Sequence, residues 1–347
     1  MPSQQKSGPD YQQFDFLMNA PALFNAAATG AELRLFIYLS ENPGSDFEAL
    51  REFSGVPAHQ LRVLLQGICA AGLMERTDGK YRNSAVAEDL LASDEPDSWA
   101  HTLIGWKEIY YPAFGQMTKA LKAGTNTALE SYPGDEPTLY KRLTRNPELE
   151  AVFHKAMAAF TLASINDLVE REEFGTVSHL LDIGGGDSTT TARLLARYPN
   201  MRSTVFDQPS VSELAHGKEA QAFIDRIDLV TGDFFDTPFP EGADSVLFSH
   251  VLGIFSPEQI VTLLKKAYDV LPSGGRIFIY DYNVTNEETT GIYGARLGLY
   301  FNILASGTGM AYPAEDFEGW LSKVGFVDVR TVGELDYEHG FHIGVKP

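Results

Sequence analysis

The chain has 347 residues, with 27 Lys and Arg against 47 Asp and Glu and a formal net charge of −20. That length holds two domains and a sizeable core, and so acidic a balance argues against a nucleic-acid or anionic-membrane partner. The one cysteine, Cys69, excludes an internal disulfide and a cysteine metal cluster; it lies in the apolar run LLQGICAAGLM and reads as core.

The start, MPSQQKSGPDYQQ, is polar and lacks the apolar centre of a signal peptide. No run reaches the roughly 18 apolar residues of a membrane span, so a soluble, cytoplasmic protein is expected. Residues 1–14 read as disordered. Residues 16–39 have helical patterning with only two charges, Glu32 and Arg34. So apolar a helix needs cover on most sides, from a second domain or from another subunit, and a homodimer is the expectation. Residues 46–53 and 58–71 form a helix–turn–helix pattern around Gly55-Val56-Pro57, and residues 72–81 read as a hairpin turning on Asp78-Gly79. Together they resemble a winged helix. Its recognition position, residues 59–65, carries one arginine, Arg62, which is too little positive charge for DNA.

Residues 99–175 make a second helical region. Trp106, Tyr110, Tyr111 and Phe114 fall at near-helical spacing, interrupted by Pro112, either as core or as the wall of an aromatic pocket. Residues 152–161 form a helix leading onward, and Glu172-Glu173-Phe174-Gly175 marks a boundary. The expected domains are therefore 1–175, helical and winged-helix-like, and 176–347.

The second begins with an apolar strand at residues 180–183, stops at Gly184-Gly185-Gly186, and continues as an amphipathic helix with Ala192, Leu195 and Ala196 on one face. Strand, glycine turn and helix open a nucleotide-binding α/β unit, with free N–H groups at the helix start. The third glycine of the dinucleotide pattern is missing: Asp187 or Thr189 stands in its place. A pyrophosphate needs that turn bare. S-adenosylmethionine carries no phosphate, and an acidic group such as Asp182 suits its ammonium and sulfonium charges. The stretch thus favours S-adenosylmethionine. Further strands are expected at 203–206, 227–230, 243–250 and 276–282, helices at 257–271 and 315–324, and a closing hairpin at 327–332 and 341–345. This is an α/β, Rossmann-like sheet with an appended hairpin.

Ligands of such sheets bind beyond the carboxyl ends of the strands. Asp182, Asp207, Asp233 and Ser249 all fall there. Asp207, about 20 residues past the glycines, suits ribose hydroxyls; Asp233 suits an adenine amino group, with Phe234 against the ring. Any one of them alone reads equally well as a helix cap or a loop acid. His339 and His342 flank Gly340-Phe341 without a third metal-binding partner and read as strand residues, so no metal site is expected.

The segments LLDIGGG, TVFDQP, DLVTGDFF, ADSVLFSHVL and LKKAYDVLPSGGRIFIYD resemble the small-molecule O-methyltransferases of the plant caffeic acid and bacterial antibiotic-tailoring type. The resemblance spans nearly the whole chain. It implies a class I methyltransferase sheet, an N-terminal winged-helix dimerisation domain, and an aromatic, hydroxylated secondary metabolite as methyl acceptor. By resemblance Gly184, Gly186, Asp207, Asp233, Phe234 and Ser249 contact S-adenosylmethionine, with Thr161 nearby. Phe153, Met157 and Phe160 lie near the reaction centre and the stretch from Tyr300 closes the pocket; Trp106, from its spacing alone, is a candidate for core or for the pocket wall.

One departure matters. The family's His-Asp-Trp triplet, whose histidine is the general base, reads Gly253-Ile254-Phe255 here, and the acid that orients the base falls near Ala311. A second orienting acid survives as Asp281. Three routes stay open: another base, among His250, His154 and His101; an acceptor already acidic; or a carbon nucleophile, as in the bacteriochlorophyll C-20 methyltransferase branch, which VLFSHVLGIFSPEQ resembles. A non-methylating enzyme that binds S-adenosylmethionine is the alternative of another class.

Overall fold

The computed structural model describes residues 8–208, 218–289 and 291–347. Two compact units emerge: one runs to Pro112 and takes up Glu148–Phe160, the other is Ala113–Pro147 with Thr161–Pro347. The boundary expected at Glu172 to Gly175 is a single 3-10 turn, Glu172–Thr176, inside the second unit.

In the first unit a helix runs Pro9–Glu32, starting inside the stretch expected to be disordered. The proline sits in the first turn, where its missing N–H costs nothing. Arg34 takes a left-handed conformation (φ +56°), so the single helix expected over 16–39 is two, the second being Leu35–Glu41. Gly30 and Gly67 let Pro9–Glu32 cross the helix Ala58–Ala70 closely: a Cβ on Gly30 would lie 2.7 Å from Ile68 and one on Gly67 2.9 Å from Ala26. Leu35, Phe36, Leu39, Leu50, Leu61, Leu65 and Ile68 form the core here, with Cys69 against it. Short strands β1 (Ser45–Asp46), β2 (Met74–Thr77) and β3 (Lys80–Asn83) form an antiparallel sheet in the order β1-β3-β2. Asp78 and Gly79 both have positive φ, the geometry a two-residue hairpin turn requires. Beyond it, Trp99–Gly105 passes into a π-helical turn, Trp106–Tyr110, and then Tyr111–Phe114. Pro112 follows directly on the π-helical turn, where the Tyr111 amide bonds to the Trp106 carbonyl, and the helix runs on through Phe114 without a break.

The second unit is built on seven strands: β4 (His179–Ile183), β5 (Arg202–Asp207), β6 (Ile227–Thr231), β7 (Ser245–Ser249), β8 (Arg276–Tyr282), β9 (Val327–Leu335) and β10 (His339–Val345). Their order is β6-β5-β4-β7-β8-β10-β9. The first five are parallel, and β10 runs antiparallel to both neighbours, giving the expected hairpin. Both faces are packed: Ile183, Phe248, Ile260 and Leu264 on one side, Leu180, Leu195, Leu247 and Phe278 on the other. Buried on two faces, these strands read as continuous apolar runs. The strand order reverses at β4, between β5 and β7, which places a ligand crevice beyond Ile183.

Candidate functional site

The loop after β4 shows why glycine recurs there. Gly184 has φ +76°, and its amide donates to the Phe206 carbonyl at 2.8 Å. A Cβ on it would stand 2.5 Å from Val251 Cγ2 and 3.4 Å from the Phe234 ring, and one on Gly185 would stand 2.6 Å from Asp182 Oδ2. These two positions are closed by packing. Gly186 differs: its φ is +59°, its amide donates to Asp207 Oδ2 at 2.9 Å, and nothing lies within 4 Å of where a Cβ would be. Bare backbone faces open space there. The helix Thr189–Arg197 follows, from a wholly buried Ser188 held at φ +68°.

Asp182 lies beneath this loop, fully buried, instead of facing a ligand's charges directly as its sequence position suggested. Thr191 Oγ1 donates to its Oδ2 at 2.7 Å, and burial pushes the carboxyl up to about 7. Its Oδ1 and the Ser188 hydroxyl are buried without a partner.

Asp207 ends β5. One carboxylate oxygen holds Gly186, and the other accepts from the Gln208 amide at 2.6 Å. Beyond β6, Asp233 Oδ1 accepts from the Phe235 amide at 2.9 Å, which with a weaker bond from Asp236 holds the carboxyl below its ordinary range; Lys141 Nζ lies 3.5 Å from Oδ2. The Phe234 ring lies over Gly184 and near Phe206 and Phe255. Lys266, which sequence reasoning missed, ties this loop down. Its Nζ donates to the carbonyls of Phe234, Phe235 and Thr237 from the helix Pro257–Val270. No spacing in the sequence marks it, because its partners are backbone atoms.

The end of β7 carries Ser249 and His250, both partly exposed, after three fully buried residues. His250 has φ +58°, and its amide donates to the Tyr280 carbonyl at 2.8 Å. Its Nδ1 is 3.4 Å from Ser249 Oγ and its Nε2 is 2.7 Å from Nε2 of His339, a buried residue of β10. His339 stacks on Tyr280 and packs on Tyr282, and its Nδ1 is 2.7 Å from the Asp336 carbonyl. Burial lowers both histidines, His339 to about 4 and His250 well below its ordinary value. The sequence placed His339 in a strand but gave no sign of this pairing.

Gly253 is buried, and its amide donates to Asp281 Oδ2 at 2.9 Å. The other carboxylate oxygen accepts from the Tyr282 amide, also at 2.9 Å, and burial pushes Asp281 up to about 6. These bonds are to backbone; at this position there is no imidazole for Asp281 to orient. A Cβ on Gly253 would lie 3.2 Å from both Asp281 Oδ1 and the Met310 carbonyl. Ala311, where the second acid was sought, is buried.

In the first unit Phe160 meets Trp99 at 5.8 Å and Trp106 at 6.1 Å, edge to face, and Trp106 stacks on Tyr110. Phe153 is buried; Met157 is partly buried, its sulfur 4.0 Å from the Tyr110 hydroxyl. His154 Nε2 lies 3.8 Å from Glu150 Oε1 one turn back along its own helix, and His101 Nε2 lies 3.2 Å from the Glu95 carbonyl. In the second unit Thr161 is partly buried, and Tyr300 is buried at the end of the helix Ile292–Tyr300. Among the described residues no group of three or more His, Cys, Asp or Glu is arranged to hold a metal, and no helix is long and apolar enough to cross a membrane.

Comparison with known proteins agrees with this geometry. A family model described as an O-methyltransferase domain matches residues 114–327. The chain is 31% identical to an L-tyrosine C(3)-methyltransferase of Streptomyces lavendulae, covering 98% of this chain and 94% of that one. It is 29% identical to a 3-hydroxy-5-methyl-1-naphthoate 3-O-methyltransferase of Streptomyces sahachiroi, covering 80% and 79%. Among solved structures, the S-adenosylmethionine-dependent methyltransferase SibL superimposes with a TM-score of 0.80 at 31% identity, over 96% of this chain and 99% of that one.

Proposed function

This chain belongs to the O-methyltransferase domain family, and from that premise we propose that it methylates a hydroxyl of a small aromatic metabolite, with S-adenosylmethionine as donor. The observation that carries the reading is the crevice beyond β4. Gly186 offers open space there, Asp207 holds its amide, and Asp233 and Phe234 stand at the end of the next strand but one. The partnerless buried Asp182 Oδ1 and Ser188 hydroxyl fit a ligand rich in polar groups above them. The donor set, two carboxylates with an aromatic ring and bare glycine backbone, suits an adenosine joined to an ammonium-bearing tail.

Gly186, Asp207, Asp233, Phe234, Ser249 and Thr161 would hold the donor, with Gly184 packed beneath Val251 and Phe234 to shape the loop. When bound it supplies an electrophilic methyl on a positively charged sulfur. The protein's own part is to hold the acceptor in line and to exclude water. In the second unit Tyr300, buried at the end of its helix, is assigned to the acceptor's apolar ring. His250, partly exposed at a strand end, is assigned to take the hydroxyl proton; Asp281 and His154, tied to backbone amides and to Glu150 respectively, are weaker candidates. The exposed apolar start of Pro9–Glu32 supports a homodimer, and the biosynthetic relatives support a place in the cytoplasm.

A second reading, transfer to a ring carbon beside a hydroxyl, has two observations in its support: a Cβ at the buried Gly253 would press on Asp281 and Met310 where the family's base would stand, and a relative that matches 98% of the chain is by its name a C-methyltransferase. One experiment decides. The protein is incubated with S-adenosylmethionine bearing a carbon-13 methyl and a panel of phenols that includes L-tyrosine and hydroxynaphthoates. A methoxy signal is expected. A ring-methyl signal replaces the first reading with the second, and bound donor without transfer to any phenol overturns both.

A further inference from the structure

His250 and His339 meet nitrogen to nitrogen, Nε2 to Nε2 at 2.7 Å, and the remaining contacts fix which ring carries which proton. The Asp336 carbonyl can only accept, so His339 Nδ1, 2.7 Å away, must be the protonated nitrogen. A neutral imidazole has one N–H. His339 Nε2 is therefore a lone pair, and the short contact exists only if His250 donates from its own Nε2. That leaves His250 Nδ1 unprotonated, with the Ser249 hydroxyl 3.4 Å away as its donor. Both rings are neutral near pH 7, since burial disfavours the cation on each.

We infer that His339 is a positioning residue: it locks His250 in the Nε2–H tautomer and so presents an unprotonated Nδ1, which accepts from the Ser249 hydroxyl, at the ligand-binding edge of the sheet. The direction follows from the backbone. Val246, Leu247 and Phe248 of β7 are fully buried, whereas Ser249 and His250 at its end are partly exposed. His250 is held there in a left-handed conformation (φ +58°) that a side chain with a Cβ adopts only under strain, by the bond from its amide to the Tyr280 carbonyl. His339 is fixed in turn by stacking on Tyr280, nearly parallel at 4.5 Å, and by the tilted ring of Tyr282 at 4.0 Å. The hydrogen-bonded chain runs from the Ser249 hydroxyl through His250 and His339 to a main-chain carbonyl. The bond made at one imidazole nitrogen sets what the other can do. With donor and acceptor bound, the acceptor hydroxyl's proton would go to His250 Nδ1 as its oxygen takes the methyl and the methyl–sulfonium bond breaks to leave a neutral thioether; the imidazolium would keep its Nε2–H on His339.

The role in proton transfer rests on the methyltransferase reading of the site, but the tautomer does not, and it is read without turnover. The full-length protein is labelled with nitrogen-15 histidine and long-range proton–nitrogen correlations are recorded at pH 7.5, with and without S-adenosylmethionine; a His250→Asn variant assigns the signals. His250 should show the Nε2–H pattern and His339 the Nδ1–H pattern. His339→Phe keeps a ring to stack between the tyrosines but removes the acceptor, so His250 should lose its Nε2–H pattern. His339→Gln, which offers a carbonyl oxygen near the same place, should restore it. With the phenol found by the carbon-13 assay, His339→Phe should lower kcat at least tenfold with the KM for S-adenosylmethionine unchanged, and His339→Gln should recover most of the loss. A wild-type His250 protonated at Nδ1, or a His339→Phe variant with wild-type kcat, overturns the inference. Correct tautomers without methyl transfer would sustain the lock and refute the reading of the reaction.

Discussion

The Asp281 carboxylate accepts the Gly253 amide at 2.9 Å, and the two residues together fill the place that the resemblance to plant-type O-methyltransferases assigns to a general base. The Met310 carbonyl closes the other side, 3.2 Å from where a Cβ at residue 253 would stand. The missing histidine is thus built into the packing of this chain.

Restoring the histidine should therefore fail. Gly253→His is expected to destabilise the protein by about 1–3 kcal/mol through overpacking and to leave turnover no higher than before. Urea unfolding measures the first and the carbon-13 methyl assay the second. A stable, faster variant would mean that the segment around Met310 opens readily.

The neighbouring glycines of the loop should separate packing from binding. Gly184→Ala combines left-handed strain of about 1–2 kcal/mol with a clash against Val251, and should unfold at distinctly lower urea. Gly186→Ala carries the strain alone, because its Cβ meets nothing within 4 Å; it should lose about 1–2 kcal/mol of stability and more than tenfold in affinity for S-adenosylmethionine by calorimetry. Equal affinities in Gly186→Ala and wild type would place the donor elsewhere.

Asp182 makes stability depend on pH in an unusual direction. Its folded carboxyl sits at about 7, above the ordinary 3.8 of an exposed aspartate. Between these values the folded protein binds the extra proton, so unfolding becomes easier as pH rises. The stabilising contribution is complete below pH about 4 and is lost as pH passes through about 7. Asp281, raised to about 6, acts in the same sense. Asp182→Asn can still accept from Thr191, and it should flatten the fall in unfolding free energy between pH 4.5 and 7.5, as measured by urea titrations at the two values. An unchanged slope would show that Asp182 is not protonated in the fold.

The first turns of Pro9–Glu32 expose Phe14, Phe16, Leu17 and Met18 at 58–66%. Four large apolar residues together on one terminal segment suit a second copy of the chain. Phe16→Asp with Leu17→Asp should convert a dimer into a monomer in sedimentation velocity, and a wild-type protein that sediments as a monomer at micromolar concentration refutes the assignment.

What the sequence determined by itself is the part of the molecule written by local rules. Residues 180–197 read as strand, glycine turn and helix because apolar runs, glycine conformations and helical spacing act within a few residues, and the structure has β4, the loop and Thr189–Arg197 there. The seven strands and the final hairpin followed from the same patterning. Even the start of the first helix was misjudged only because a polar face toward solvent looks like disorder in a single sequence.

Tertiary structure decided what depends on partners far apart in the chain. His250 and His339 are 89 residues apart, and neither the pairing nor the tautomers it enforces has any local signature. Lys266 works through carbonyls, which every residue possesses. Gly253 stands out in the sequence only as a missing histidine; the contacts of Asp281 and Met310 around it come from the fold. Asp182 sits at a strand end, as the pattern said, yet the pleat turns its side chain under the loop. Periodicity says which residues are buried; only the packed fold says which buried group lies against which, and the chemistry of this site resides in those contacts.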